Sequence, residues 1–371
     1  MKPAIRDGIS VLYRPLAGGY ELNFLVESSS VIMPFEVDAH TLRCVRMFDG
    51  THTIADISTA IGVSEASVSG LAALLYDQKL LRTRDRIYDR YEGTRFATQA
   101  NFLAGFANDE SPDMQEAIDA SHVAIIGLGG IGSWVAYGLV LAGVKKLTLV
   151  DNDVVELANL NRQCLYDIAC IGLPKAEMLA QKLRLVDPAL EVEQVHRLVD
   201  SLQACSEVAT GADLVICCAD EPGTDEINRI VSRACYPRGI PHILCGGYDG
   251  HLGFIGPTIV PKRSGCWLCY EHTLEHQLRS AGYIHLQVTP AQIKGGNLGA
   301  ISAIIANYHV IEALKVMTGF APPTLINQAA EVDFLTYGLH LRAYRKRHDC
   351  AVCGTQSDEE ITDGQPNVTH V

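Results

Sequence analysis

Apolar residues recur along this chain in two rhythms. Between Pro34 and Arg84 they fall at helical spacing, as Leu71, Leu74 and Leu75 do ahead of Leu80 and Leu81. Asp49-Gly50 and Gly62 read as stops, and Ser64 stands where a helix N-cap belongs. With the strand-like residues before Pro34, residues 1–88 read as a small winged-helix-like unit. Arg82 to Arg90 is charged and almost free of apolar residues, so 89–120 reads as a connector between domains.

After Ser121 the pattern changes to short apolar runs alternating with amphipathic stretches, the signature of a parallel sheet with crossover helices. The run HVAIIGL predicts a buried strand, Ile131 to Ala142 a helix, and KLTLVDND the next strand. Pro174 to Val186 predicts a helix with proline in its first turn, EVEQVHRLV and DLVICCAD two strands, and Gly223 to Tyr236 another helix. Two more strands follow from Pro241, then a loop-rich segment from Gly265 to Gly296, a helix over about Asn297 to Thr318, and a closing pair of strands. The expected class is α/β, a Rossmann-like domain with a mixed sheet over 121–356. A polar tail, 357–371, is expected to fray.

Composition narrows the function. The chain has 371 residues, 48% of them hydrophobic and 20% charged, ordinary for globular domains and long enough for two of them. Acidic residues outnumber basic ones by 43 to 30, which disfavours a general nucleic-acid surface, because phosphate binding needs clustered lysine and arginine. Met1 to Ser10 carries no signal-peptide pattern, and no uninterrupted apolar run reaches the ~20 residues of a membrane span, so a cytoplasmic protein without a membrane partner is expected. In that setting the 12 cysteines read as reduced thiols and metal ligands.

The strongest local motif is Gly127-Leu128-Gly129-Gly130-Ile131-Gly132, between a predicted strand and a predicted helix, with Asp151 ending the next strand. Bare glycines let backbone approach a phosphate, the helix N-terminus supplies free N–H groups, and the acid can hold ribose hydroxyls. Nicotinamide and flavin enzymes use the same arrangement, and a tight turn without a nucleotide is the plain alternative. Next come Asp151-Asn152-Asp153, Asn159-Leu160-Asn161-Arg162-Gln163 and Gly172-Leu173-Pro174-Lys175. A paired arginine and lysine suit a triphosphate, on which charge builds as pyrophosphate leaves.

In order and spacing these elements, with the later Asp220, resemble the adenylating family of ThiF, MoeB and the ubiquitin-activating enzymes. The resemblance implies ATP as cofactor. It further implies that Asp151 binds ribose, that Asp153 belongs to the cofactor site, that Asn159, Arg162, Gln163 and Lys175 surround the phosphates, and that Asp220 holds magnesium. Taken singly, Arg162 and Lys175 also read as solvated surface charges and Asp220 as a helix cap. Family members use an arginine from before the Gly-rich strand, often supplied by the partner in a homodimer. Arg95 is the candidate here, with an ordinary linker charge as the alternative.

Cys266-Trp267-Leu268-Cys269 and Cys350-Ala351-Val352-Cys353 form two CxxC knuckles able to enclose a tetrahedral zinc, and a closed four-sulfur site is structural. Buried or redox cysteines are the alternative; the same two-plus-two arrangement occurs in the resembled family. Between Cys269 and Cys350 there is no cysteine to carry a thioester. Cys164, Cys235 and Cys245 are expected on strands or helices as small buried hydrophobes.

The N-terminal unit resembles the peptide-clamp domains of family members that modify ribosomally made precursor peptides, of the microcin C and pantocin types. A leader peptide would add as a strand to the wing sheet; a DNA-binding wing or a dimerisation element are the alternatives. Such resemblance implies activation of a peptide carboxylate or amide, leading to cyclisation with loss of water. Nucleotidyl transfer onto the peptide, adenylation of a ubiquitin-like sulfur carrier, nicotinamide-dependent dehydrogenation and non-catalytic leader delivery are the other readings. His272, His276 and His285, in the segment expected to cover the site, are candidate bases or polar surface.

Overall fold

The computed structural model describes residues 2–6, 8–26, 31–82, 89–106, 113–283, 296 and 298–354. His285, the charged run 83–88 and the tail 357–371 therefore lie outside the described residues. The chain divides into two compact units, Met1–Asp113 and Met114–Val371.

The first unit opens with an antiparallel meander, β1 (Ile9–Leu16), β2 (Gly19–Val26) and β3 (Val31–Val37), in that spatial order. All three strands precede the helices α1 (Ala39–Arg46), α2 (Ile54–Ile61) and α3 (Glu65–Asp77). Each helix starts on a side-chain cap: Asp38 accepts from the Thr41 N–H, Thr53 and Asp56 form a capping box, and Ser64 accepts from the Ser67 N–H as its position predicts. Val68, Ala72 and Leu75 turn inward from α3 against Leu22 and Phe24 of the central strand, with Ile57, Leu80 and Leu81 in the same core. Leu74, half exposed, lies off that stripe. Part of the expected connector is folded: α4 (Ala97–Ala104) belongs to this unit, where Arg6 donates to the Gly105 carbonyl and Arg90 pairs with Asp113.

The second unit begins with α5 (Met114–Ala120) and the fully buried β4 (His122–Ile126). Then α6 (Gly132–Ala142), β5 (Lys146–Val150), α7 (Lys175–Val186), β6 (Glu191–Val195), α8 (Leu202–Val208), β7 (Leu214–Cys217), α9 (Thr224–Cys235), β8 (His242–Asp249) and β9 (Leu252–Ile259) follow. After these the expected loop is a 14-residue helix, α10 (Trp267–Ser280). A bidentate Arg229–Glu271 pair ties it to α9, and its first turn starts at Cys266, so tertiary bonds set a helix where no strong apolar period marks one. The unit closes with α11 (Gly299–Thr318), β10 (Gln328–Asp333) and β11 (Gly338–Ala343).

Eight strands form one mixed sheet in the order β11-β10-β9-β8-β7-β4-β5-β6, parallel from β8 to β6 and antiparallel beyond β8. Chain order reverses at β4, which lies between β7 and β5. In such sheets the crevice beyond the strand C-termini at the reversal receives the ligand. Among the described residues α11 alone is long and apolar enough to cross a membrane; here it lies against α5, α6, β8 and β9. Its buried Glu312 accepts from Thr258, Lys315 and the Thr324 and Leu325 N–H groups.

His242, at the start of β8, is fully buried, with Nδ1 3.0 Å from the Ile240 carbonyl and Nε2 3.0 Å from Ser232 Oγ. Burial pushes its pKa down to about 4 and lowers that of the buried His309 too. The unfolded chain therefore takes up protons that the folded one refuses, and stability should fall as pH drops from about 6.5 towards about 4, His242 alone accounting for on the order of 3 kcal/mol. Urea unfolding across that range should lose much of its slope in His242→Asn; an unchanged slope would refute the assignment.

Candidate nucleotide site

The site is built where β4 ends. Gly127 has φ +87°, and a β-carbon there would stand 2.6 Å from the Ala219 amide nitrogen. Gly132 opens α6 against the same turn, where a β-carbon would come 1.8 Å from the Gly127 carbonyl oxygen. These two glycines serve the close passage of backbone over backbone, and Gly132 itself does not line the cavity. Asp151, at the end of β5, holds the loop: Oδ2 accepts from the Leu128 N–H at 2.7 Å and Oδ1 from the Asp153 N–H at 2.8 Å. Each oxygen keeps a lone pair for a ribose hydroxyl. Burial raises the Asp151 pKa, against which Lys175 and those two N–H groups act.

Beyond the strand ends opens a cavity of about 730 Å³. Gly127, Gly129, Gly130, Asp151, Asp153, Asn159, Arg162, Gln163, Lys175 and Asp220, separate in sequence, all line it. Lys175 is 5% exposed and donates to Asp153 Oδ2 at 2.6 Å. It is the first residue of α7, where the helix dipole disfavours a cation, so helix stability does not explain its position. Arg162 rests its Nη1 on the Ala158 carbonyl at 2.8 Å and Asn161 Oδ1 at 3.1 Å. Asn159 Oδ1 caps its own turn by accepting from the Glu156 N–H. Gln163 is 5% exposed, and among the described residues its Oε1 has no hydrogen-bond partner. An unsatisfied buried amide oxygen costs about 1–3 kcal/mol, which a bound ligand or water relieves. Bare glycines, two cations and this orphaned oxygen fit a nucleotide triphosphate.

Arg95 belongs to the first unit, exposed and stacked 4.7 Å from the Phe96 ring centroid. His272 and His276 stand exposed on α10 with stacked rings, and neither lines the cavity. Cys235 and Cys245 lie on a helix and a strand as expected, but Cys164 sits in a turn and Cys245 reaches the cavity wall.

Several lining residues escape sequence reasoning. Arg197, just past β6, donates its backbone N–H to the Asp151 carbonyl and pairs with Glu207. Tyr248 and Asp249 come from the β8–β9 hairpin, where register shifts between Ile243 and Gly247 turn the strand end. Behind the cavity wall, buried Tyr166 stands 3.2 Å from the Leu128 carbonyl and 3.3 Å from that of Lys175, joining loop to helix without lining the cavity itself. Strand adjacency is the only signal for Arg197, and it requires knowing that β6 lies beside β5.

At the far end of the sheet the sulfurs of Cys266, Cys269, Cys350 and Cys353 all lie within 4.8 Å of one another, and all four residues are buried. Tetrahedral zinc with Zn–S near 2.3 Å needs sulfurs about 3.8 Å apart. The close pairs Cys266–Cys350 at 3.5 Å and Cys269–Cys353 at 3.3 Å bracket that geometry from below, so the set could hold zinc. The Arg347 N–H points at Cys269 Sγ, as N–H groups do around thiolate ligands.

The sequence pattern of the ThiF family matches residues 96–352. The sulfur carrier protein ThiS adenylyltransferase of Escherichia coli is 28% identical over 260 residues, 68% of this chain and 94% of that protein. The E. coli MccB structure with AMPCPP and MccA superposes with a TM-score of 0.74 at 18% identity, over 95% of this chain and 100% of that one. PaaA superposes with a TM-score of 0.71 at 19% identity, over 92% and 100%.

Gly132→Ala is expected to abolish nucleotide binding, measured by calorimetry with a non-hydrolysable ATP analogue, because backbone has nowhere to move. Gly172→Ala, at φ +83° with open space around it, should cost about 1–2 kcal/mol of stability and leave binding intact. Equal affinities for Gly132→Ala and the parent protein would remove the glycine loop from the site.

Proposed function

The chain belongs to the ThiF family of ATP-dependent adenylyltransferases, and on that premise we propose that it activates a ribosomally made precursor peptide, held through its leader by the first unit. A carboxylate oxygen of the peptide attacks the α-phosphorus of ATP and pyrophosphate leaves. An internal nitrogen nucleophile then attacks the acyl carbon, releasing AMP and closing a ring with net loss of water. The observation that carries this reading is the convergence of Arg162, Lys175 and Asp220 with the glycine loop on one cavity. Arg162 and Lys175 neutralise the departing pyrophosphate, and Asp220 would hold a magnesium ion, which would offset phosphate charge.

Support for a peptide substrate comes from the first unit. Its sheet has two edge strands, β1 and β3, either of which leaves backbone groups for an added strand. Pro34 on β3 and the exposed Leu12 and Tyr13 on β1 mark the two edges differently. Likeness to MccB, a microcin C7 biosynthetic enzyme solved with MccA, extends over 95% of the chain and so includes this unit. The missing cysteine between Cys269 and Cys350 argues against handing the product to a thioester. A homodimer, with Arg95 reaching the neighbouring copy's site, belongs to the same reading.

Candidate peptides, above all short reading frames beside the gene, should be incubated with the protein, ATP and magnesium and weighed intact. Loss of one water with pyrophosphate release is expected, on a protein that sediments as a dimer. A nucleotide-sized mass gain would replace cyclisation by nucleotidyl transfer, and modification of a small Gly-Gly-ended carrier alone would overturn the peptide reading. Arg162→Ala and Lys175→Ala should each lower pyrophosphate release at least about 100-fold.

The four-cysteine site is read as structural zinc. Cys350→Ser should lose bound zinc by elemental analysis and several kcal/mol of stability, with the remaining thiols newly titratable. A protein purified free of metal and equally stable would argue for plain buried thiols.

A further inference from the structure

Arg162 lies on a short irregular segment, yet its place is fixed by an element that begins 137 positions later in the chain, at Gly299. Gly299, the first residue of α11, packs so closely under this segment that a β-carbon would stand 2.6 Å from the Asn161 carbonyl oxygen and 3.3 Å from Arg162 Cα. One turn on, Ser302 is fully buried, and its Oγ lies 3.1 Å from the point where a β-carbon on Gly130 would be. Arg162 Cγ and Cδ lie 3.4 Å from that same point. From the other side Trp134 Nε1, on α6, donates to the Arg162 carbonyl at 3.0 Å. The arginine stem therefore runs over the bare face of Gly130, with the first turn of α11 beneath its backbone.

We infer that Gly299 and Ser302 are positioning residues for Arg162: the first turn of α11 is the seat that aims the guanidinium at the phosphates. The proposal rests on the role given to Arg162 in the activation step. Glycine at 299 permits the backbone contact. Ser302 acts through its small volume, since among the described residues its hydroxyl has no hydrogen-bond partner and makes no bond to the arginine. A larger side chain at Gly299 displaces the backbone that carries the arginine, and one at Ser302 fills the space over Gly130 that the arginine stem occupies, both away from Lys175.

A double-mutant cycle on the full chain tests this, read by the affinity for a non-hydrolysable ATP analogue and by pyrophosphate release. Gly299→Ala is expected to weaken analogue binding on the order of 10-fold, the low end of what a charge-assisted hydrogen bond supplies. Release should fall on the order of 100-fold, as for a reacting group displaced by about 1 Å. In an Arg162→Ala background the same change should cost less than about 2-fold in affinity, because the two act as one unit. Ser302→Val should imitate Gly299→Ala, whereas Ser302→Ala should bind like the parent protein and melt no lower. Full, additive loss from Gly299→Ala on top of Arg162→Ala, or parental affinity in Ser302→Val, would overturn the seat while leaving the role of Arg162 standing. Should Arg162→Ala itself bind and react normally, both that role and the seat fall. If Gly299→Ala does not fold, the two Ser302 variants decide the question by their contrast.

Discussion

A hydrogen atom on Gly132 is all that fits between the start of α6 and the carbonyl oxygen of Gly127. That contact sets how closely helix and strand approach, and the rest of the site follows from it. With the turn held this tight, the Leu128 N–H reaches Asp151 on the neighbouring strand, and the same carboxylate collects the Asp153 N–H. Asp153 in turn receives Lys175, whose helix begins through the Lys175 N–H bond to the Asp153 carbonyl. A chain of short, directional bonds thus runs from a glycine to a cation across three loops, each dependent on the one before.

Charge is handled sparingly in this site. Lys175 is buried at a helix end that disfavours it and survives there by pairing with Asp153. Arg162 leans on neutral oxygens, which hold a guanidinium less firmly than a phosphate would. Gln163 keeps an oxygen with no partner among the described residues. These groups gain more from an anionic, hydroxyl-rich ligand than from each other, which is how a preorganised site differs from a stable surface cluster. The four-cysteine cluster, by contrast, sits buried in an apolar setting beside Trp267, Tyr270 and Tyr344, where a metal can tie two distant segments together.

Much of the site was legible because its parts lie in short motifs whose spacing is local. A GxGGxG run between strand and helix, an acid one strand later, and two cations at fixed offsets need no tertiary knowledge, and the cavity gathers them as expected. Caps such as Ser64 were readable for the same reason, since the bond closes within four residues. The helix α10 was not: its apolar stripe is weak, and what holds it is the Trp267 N–H bond to Ser232 Oγ and the Arg229–Glu271 pair, both long-range. Tyr166, Arg197 and the hairpin residues Tyr248 and Asp249 carry no local signature, because their value lies in which strand happens to stand next to which.

By itself, then, the order of residues determined the alternating α/β architecture, the glycine-rich turn between strand and helix and the two CxxC knuckles, because each depends on backbone geometry or ligand chemistry within a few positions. Only the tertiary structure decided that β4 lies at the reversal of the sheet, that Arg197 stands beside Asp151, that the two knuckles meet, and that Gly299 packs under Arg162. Those are relations between segments far apart in the chain, set by how one mixed sheet and its helices exclude water together. A linear reading has no means of weighing contacts whose energy exists only once the core has closed.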